Sequence, residues 1–238
     1  MPPVDDPVKS RLAHLERYHI MDTPPEQEFD DLTHLAGFIC DTPTAVISLL
    51  DATRQWFKSR VGIDLSETPL AVSFCAHAIK EPGVMVVNDA TKDRRFSNYA
   101  TVTGEPHIRF YAGAPLISDD GTAVGTICVI DSKPHDFTPG QEKALAALSR
   151  QVIAQLELRR MMRELATALV EKEKALKHVR QLQGLLPICS YCKRVRDDRN
   201  YWNEVADYFS THTEMQFSHS ICPSCMPRAL AELGLPPE

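Results

Sequence analysis

Four cysteines near the C-terminus have the residue type and spacing of a metal-binding site. Cys189 and Cys192 form a first cysteine pair, and Cys222 and Cys225 form a second, with two residues inside each pair. This spacing lets both sulfur atoms of a pair turn towards one point, and four thiolates suit the tetrahedral geometry of zinc. Because four protein ligands leave no open coordination position, the pattern predicts a structural zinc ion.

The cysteine pairs also leave other chemistry open. The 29 residues between them exceed the usual spacer of about 15–20 residues, so we expect a folded segment there. The same thiols fit an iron–sulfur cluster or a reversible redox dithiol. His219 is a competing ligand, or a hydrogen-bond donor to a thiolate, because it lies three residues before Cys222. The simplest interpretation of Cys40, Cys75 and Cys128 is that they are small buried apolar residues.

The composition is typical of an ordinary globular protein. Of the 238 residues, 43% are hydrophobic and 24% are charged, and the net charge is −6. We find neither a run of 18 apolar residues nor a signal peptide at the start, so we expect a cytoplasmic protein with no membrane partner. We also expect no nucleic-acid partner, since Asp197 and Asp198 interrupt the one short basic group, at 193–199.

Hydrophobic periodicity in the first 137 residues predicts an α+β fold. The predicted strands are 44–51, 55–61, 84–88, 110–117 and 122–131, and the predicted helices are 28–40 and 70–79. The last two strands flank Asp120-Gly121, and an Asp-Gly pair supplies the positive φ of a tight hairpin turn. The sheet is therefore expected to be antiparallel.

Several short motifs in this region occur in a characteristic order. They include Phe29-Asp-Asp-Leu32, Arg54-Gln-Trp-Phe-Lys-Ser59, Ser73-Phe-Cys-Ala-His-Ala-Ile79, Ile108-Arg-Phe-Tyr-Ala-Gly-Ala-Pro-Leu116 and Gly125-Thr-Ile-Cys-Val-Ile-Asp131. In this order they resemble the GAF domains of bacterial sensor kinases and cyclic-di-GMP enzymes. The resemblance implies an antiparallel sheet flanked by helices, a concave pocket for a small ligand, and a sensory or dimerising role. We assign the GAF domain to residues 11–140, after a flexible N-terminus of residues 1–10.

Six residues are candidates for the ligand pocket of this domain. They are Trp56, Phe57, Cys75, His77, Arg109 and Tyr111. Aromatic faces and a guanidinium group can stack on or clamp a planar anion. The motifs of cyclic-nucleotide-binding and bilin-binding members are not reproduced. Free methionine sulfoxide reductases of the GAF type need an accessible reactive thiol, and Cys75 beside His77 is the candidate for that alternative activity. Otherwise these two residues are interpreted as part of a packed helix.

A long helix is predicted over residues 141–184. Neither Gly nor Pro occurs between Gln141 and Gln183, Thr138 suits an N-cap, and Pro139 suits the first helical position. The helix carries a 4-3 heptad pattern at Leu158, Met162, Leu165, Leu169, Lys172, Leu176 and Val179. This pattern predicts a parallel coiled coil and hence a homodimer. The earlier apolar residues Leu145, Leu148 and Val152 are expected to pack on the sheet instead.

Residues 185–238 hold the cysteine pairs and resemble an unnamed module that follows GAF, PAS and receiver domains in bacteria. Between the pairs, a short helix is predicted from the helical spacing of Trp202, Val205, Tyr208 and Phe209. The chain has no kinase, Walker A, serine-elbow or H-E-x-x-H motif, so we expect that it is not an enzyme. We expect a signalling protein whose GAF ligand controls how the zinc module docks a protein partner.

Overall fold

A computed structural model describes residues 7–183, 186–197, 199–213 and 216–234. The chain divides into two units, Met1–Ala168 and Leu169–Glu238. The elements up to the long helix are α1 (Pro7–Tyr18), α2 (Gln27–Cys40), β1 (Thr44–Leu50), β2 (Arg54–Val61), β3 (Glu67–Pro69), a 3₁₀ turn (Leu70–Val72), α3 (Cys75–Ala78), β4 (Met85–Val87), α4 (Ala100–Thr103), β5 (Phe110–Ile117), β6 (Ala123–Asp131) and α5 (Pro139–Gln183).

The six strands form one antiparallel sheet in the order β3-β2-β1-β6-β5-β4. Its central strands are buried on both faces, and successive side chains alternate between two apolar cores. Ile47 and Leu49 of β1 belong to the core that includes residues of α1, α2 and α5. Val46 and Leu50 belong to the opposite core, which includes residues of α3 and α4. The predicted α+β class and antiparallel sheet are confirmed.

The structure refines the predicted elements at three places. Strand β3 was not predicted. The helix predicted over residues 70–79 is divided into a 3₁₀ turn and α3, because the Ser73 hydroxyl accepts a hydrogen bond from the Ala76 N–H at 3.2 Å and starts a new turn there. Helix α1 begins at Pro7, so residues 7–10 are helical and only residues 1–6 of the expected flexible segment lie outside the described residues.

The β5–β6 hairpin turns as its Asp-Gly pair predicts. Gly121 has a φ of +87°, a region that favours glycine. Its N–H donates to the Ser118 carbonyl at 2.9 Å, and the Ser118 N–H donates to the Thr122 carbonyl at 3.0 Å. This turn sets the register that places Cys128 opposite Gly113.

Helix α5 has two chemically different parts. At its start, the Thr138 hydroxyl accepts the Gln141 N–H at 3.2 Å, while the Gln141 side chain accepts the Thr138 N–H at 3.0 Å, which is a capping box. Leu145, Leu148 and Val152 are buried in the core beneath the sheet, as predicted. Beyond them the heptad positions Leu158, Met162, Leu165, Leu169, Lys172 and Leu176 are all exposed. The coiled coil stays a prediction.

The second unit contains short elements around the cysteine pairs. They are β7 (Val195–Arg196), β8 (Trp202–Asn203), α6 (Val205–His212) and α7 (Met226–Glu232). The expected helix between the cysteine pairs is therefore present as α6, but Trp202 precedes it, in a strand paired with β7. The guanidinium carbon of Arg196 lies 5.9 Å from the centre of the Trp202 ring, which suits cation–π contact.

Candidate ligand pocket and cysteine pairs

The face of the sheet under α3 and α4 carries a cluster of aromatic side chains. The Phe74 ring is stacked on Phe96 at a centroid distance of 4.2 Å and on Tyr111 at 5.1 Å. His77 meets Phe96 edge to face at 5.0 Å. Gly113 makes room for this arrangement, because a Cβ there would lie 2.1 Å from the Tyr111 hydroxyl oxygen. This aromatic cluster (Phe74, His77, Phe96, Tyr111) fills the face on which the GAF resemblance implies a ligand.

The structure brings some of the six candidate ligand residues together and separates one. Phe57, Cys75 and Tyr111 share the core on the aromatic face. Trp56 instead belongs to the opposite core, with residues of α1, α2 and α5. Adjacent strand residues point to opposite faces, so Trp56 and Phe57 cannot line one pocket. The ligand-binding role of these residues stays a prediction.

Two candidates lie at the margin of the cluster. The His77 imidazole Nε2 lies 3.1 Å from the Tyr99 hydroxyl oxygen. Burial, together with the positive charges of Lys80 and Arg95, holds the pKa of His77 below its usual value, which favours the neutral ring at pH 7. The Arg109 guanidinium donates to the Val102 carbonyl oxygen at 2.8 Å and to that of Ile108 at 3.1 Å. These bonds fix Arg109 to α4 and to the residue before it in the chain.

Cys75 lies deep in this face rather than at its surface. Cys75 is only 1% exposed, and its Sγ accepts a hydrogen bond from the Tyr111 hydroxyl at 3.3 Å. A reductase of free methionine sulfoxide needs a thiol that its substrate can reach. The burial of Cys75 does not favour that alternative activity.

A buried charge cluster that sequence reasoning missed lies at the opposite face. The Lys58 ammonium, with a side chain 0% exposed, contacts the Glu26 carboxylate at 2.6 Å, and Arg159 of α5 contacts the same carboxylate at 3.0 Å. Lys58 also donates to the Thr23 hydroxyl and the Pro24 carbonyl. It is the extra residue of a β-bulge, since Ile47 pairs with Ser59 and Ser48 pairs with Phe57. The bulge explains why an alternating pattern did not predict a buried lysine.

Each cysteine pair forms a turn that favours a thiolate. In the first pair, the N–H groups of Cys192 and Tyr191 and the Cys192 thiol lower the pKa of Cys189. In the second pair, the Ser224 hydroxyl, 3.1 Å from Sγ, and the Cys225 thiol and N–H lower the pKa of Cys222 to about 7. Thiolates are the form in which cysteine binds metals.

The structure does not bring the two pairs together into one metal site. Among the side chains that the structure describes, in residues 7–176 and the described parts of 186–234, no three His, Cys, Asp or Glu lie close enough together to hold a metal ion. His219 lies in an irregular segment before the second pair. Zinc and its ligands, including any role of His219, stay predictions.

Comparison with known proteins identifies the larger part of the chain. Residues 24–156 match the GAF domain family. The chain belongs to the GAF domain family. Over 158 residues it is 40% identical to a cyclic di-GMP phosphodiesterase of Pseudomonas aeruginosa. The aligned segment covers 65% of this chain and 27% of that protein. The chain thus spans about a quarter of the length of this curated relative.

Two solved structures have similar folds. The GAF domain of an Acinetobacter phosphoenolpyruvate-protein phosphotransferase is 19% identical, with a TM-score of 0.48 over 62% of this chain and 93% of that chain. The free methionine-R-sulfoxide reductase of Neisseria meningitidis is 15% identical, with a TM-score of 0.48 over 66% of this chain and 94% of that chain.

The family match confirms the GAF domain, and one expectation is corrected. We expected from the absence of catalytic motifs that the chain is not an enzyme. The curated relative is named as a phosphodiesterase, and that expectation is contradicted. The assignment of residues 185–238 to a four-cysteine module stays a prediction. Among the described helices, none combines the length and apolar character needed to span a bilayer.

Proposed function

We propose that this chain is a sensory protein of cyclic di-GMP signalling, in which a small ligand bound by the GAF domain alters a dimeric helix and the zinc module beyond it. The observation that carries the proposal is the course of α5. Its residues Leu145, Val152 and Leu156 are buried in the sheet's core, and the same helix continues to Gln183. A shift of the sheet face would therefore move a helix that extends well beyond the domain.

The aromatic cluster supports a planar ligand. Phe74 stacks on two rings, at 4.2 Å from Phe96 and 5.1 Å from Tyr111, so a flat group that replaced it would have ring faces to stack on. Phe74 lies between the 3₁₀ turn and the four-residue helix α3, and such short elements rearrange at lower cost than sheet strands. A planar ligand would displace Phe74 or Phe96 and take over its stacking contacts.

The exposed apolar positions of α5 support a homodimer. Met162 is 64% exposed, Leu165 62% and Leu169 53%, and these residues follow a heptad pattern. A second copy of α5 in parallel would bury them at the a and d positions of a coiled coil.

The second unit supports a metal-stabilised docking surface. Four thiols in two thiolate-favouring turns match the ligand set of a structural zinc ion, and zinc supplies the folding free energy that a small unit lacks. Exposed apolar side chains near the pairs could contact a protein partner, notably Tyr191, Ile188 and Phe217.

Native mass spectrometry of protein purified without a chelator tests the proposal directly. We expect a dimer that carries two zinc ions, together with a co-purified small molecule that is released on unfolding. A colourless protein would agree with zinc, whereas a brown protein with iron and sulfide would replace it by an iron–sulfur cluster. A metal-free monomer at micromolar concentration would overturn the proposal.

A further inference from the structure

Two cysteines that the sequence analysis interpreted separately are neighbours in the structure. Cys75 begins α3 and Cys128 lies in the middle of β6. Their sulfur atoms are 3.8 Å apart, although the residues are 53 positions apart in the chain. Each residue is only 1% exposed. A buried pair of thiols at van der Waals contact needs little motion to form a disulfide, whose S–S bond is about 2.05 Å long.

Hydroxyl groups lie close to the two sulfur atoms. The Tyr111 hydroxyl donates to Cys75 Sγ at 3.3 Å. Next to it, the hydroxyls of Ser48 and Thr126 lie 3.0 Å apart on the two neighbouring strands β1 and β6. Burial raises the pKa of Cys75, but hydrogen bonds from Cys128, Ser48, Thr126 and Tyr111 outweigh it and lower that pKa.

The opposite shift at Cys128 makes the pair asymmetric. Its hydrogen bond to Cys75 and its burial raise the pKa of Cys128. Of the two sulfur atoms, Cys75 is therefore the one whose surroundings favour the thiolate, which is the nucleophilic form of cysteine.

We propose that Cys75 and Cys128 form a redox site within the GAF domain, at which a small peroxide converts the two thiols into a reversible disulfide. This site is separate from the two C-terminal cysteine pairs and from zinc. It requires neither the planar ligand nor the dimer of the proposed function.

The chemistry balances as a two-electron oxidation. Cys75 sulfur attacks one peroxide oxygen, the O–O bond breaks, and the leaving oxygen takes up the proton that the Cys75 thiol gives up, as water or an alcohol. Cys128 sulfur then attacks the resulting sulfenic sulfur, the S–O bond breaks, and hydroxide leaves with the Cys128 proton as water. One peroxide is reduced and one disulfide forms. A dithiol reductant reverses the step by thiol–disulfide exchange.

The fold determines which side of the pair moves. Strand β6 is paired on both sides, with β1 and β5, whereas α3 has only four residues. Closing the sulfur atoms from 3.8 Å to about 2.05 Å therefore displaces α3. Phe74 immediately precedes Cys75 and would move with it. The hydrogen bond from the Tyr111 hydroxyl to Cys75 Sγ would be distorted. Oxidation would consequently disturb the aromatic cluster.

Peptide mapping of the intact chain tests the disulfide without any variant. Trypsin releases Cys75 in residues 61–80, Cys128 in residues 110–143 and Cys40 in residues 18–54, each as the only cysteine of its peptide. After brief treatment of native protein with hydrogen peroxide and alkylation, we expect the first two peptides to be linked, and the link to disappear with dithiothreitol. Cys40 is an internal control, because it is equally buried, at 1% exposed, and we expect it to remain a thiol.

Two further measurements separate this site from chance oxidation. Oxidised glutathione is much larger than hydrogen peroxide, so we expect it to leave the native pair reduced. In Cys128→Ser, dimedone should label Cys75 as a sulfenic acid, whereas Cys75→Ser should give no label on Cys128. The proposal would be overturned if the peptides of Cys75 and Cys128 kept free thiols at a peroxide dose that oxidises Cys192 and Cys222. It would also be overturned if the disulfide between them formed only in urea.

Discussion

Glu26 illustrates how single residues hold this domain together, because one carboxylate neutralises two cations. Removing a buried lysine from water costs several kcal/mol unless an anion faces it. The Lys58 side chain is 0% exposed, and Glu26, at 30% exposed, is its acidic partner at 2.6 Å. Arg159 contacts the same carboxylate and also donates to the Tyr18 and His19 carbonyls. The carboxylate therefore joins β2, the loop after α1, and α5.

We expect Glu26→Gln to lower the free energy of unfolding at pH 7 by roughly 2–4 kcal/mol, because it leaves Lys58 buried without its anion. Burial raises the pKa of Glu26, but Lys58 and Arg159 outweigh it, so the folded-state pKa lies below the unfolded one. Stability from this group is thus present above about pH 4.3 and is lost as pH falls through the folded pKa.

Urea unfolding of Glu26→Gln and the wild type at several pH values measures this effect. The difference between the two proteins should shrink as the pH is lowered below about 4.3. Glu28→Gln is a matched control, because Glu28 lies two residues after Glu26 and is exposed in the first turn of α2, and it should change stability by less than about 0.5 kcal/mol. A constant difference from pH 7 to pH 3 would show that the carboxylate charge is not responsible.

Substitution of one cysteine tests the zinc site. Cys222→Ser removes a predicted ligand, and a small unit that depends on metal should then lose structure together with zinc. We expect the zinc content to fall from about one ion per chain to near zero, with loss of the near-ultraviolet dichroism of Trp202. Ser190→Ala, inside the first cysteine pair, should keep both signals. A Cys222→Ser protein with a full zinc equivalent would exclude the four-cysteine assignment.

Contacts between residues close together in the sequence could be predicted, whereas contacts between distant residues could not. The cysteine pairs are visible because their members are three positions apart. Cys75 and Cys128, and likewise Glu26 and Lys58, meet only after the sheet forms, so a local pattern carries no trace of either contact. Trp56 was grouped with Phe57 because they are adjacent, yet adjacency in a strand places them on opposite faces.

At the scale of elements, the local sequence pattern predicted the central strands and the helix cap of α5. It missed a helix whose buried face combines polar and apolar residues. Central strands such as β5 and β6 are mainly apolar, and the Asp-Gly turn between them fixes their pairing. Helix α1 escaped prediction because its buried face includes Arg11 and His14 beside Leu15 and Tyr18. The Arg11 guanidinium is satisfied by the Leu50 carbonyl at 2.9 Å, a contact made by tertiary structure alone.

The exposed heptad of α5 leads to a test of the dimer. Leu165→Glu with Leu169→Glu places charges at adjacent core positions of the predicted coiled coil, where burial without partners is costly. We expect sedimentation as a monomer. Thr167→Glu with Val170→Glu adds the same charge to the same exposed part of the helix at positions outside the core, and should remain dimeric. A wild-type protein that is monomeric at high micromolar concentration would remove the basis for the coiled coil.

At the scale of the whole molecule, the two units depend on different sources of stability. The GAF domain has two apolar cores on either side of a six-stranded sheet. Among the described residues of the second unit, only one apolar residue, Val195, is buried. A unit with so little apolar burial needs another source of stability, and the predicted zinc ion would supply it. The fold of the first unit follows from its hydrophobic pattern, whereas for the second we predict a dependence on the zinc ion, which the hydrophobic pattern does not indicate.

Insertions into α5 test whether the helix transmits a change between the units. Adding three, four or seven residues after Lys174 changes neither the GAF domain nor residues 186–234. Three or four residues change the rotational phase of a coiled coil, and only seven residues preserve the heptad. Hydrogen exchange of residues 186–234, with and without the small molecule identified by native mass spectrometry, measures the response. If rotation is transmitted, the seven-residue insertion should keep the wild-type response and the other two should alter it sharply. Equal responses for all three insertions would show that α5 is a passive tether, because a tether is insensitive to phase.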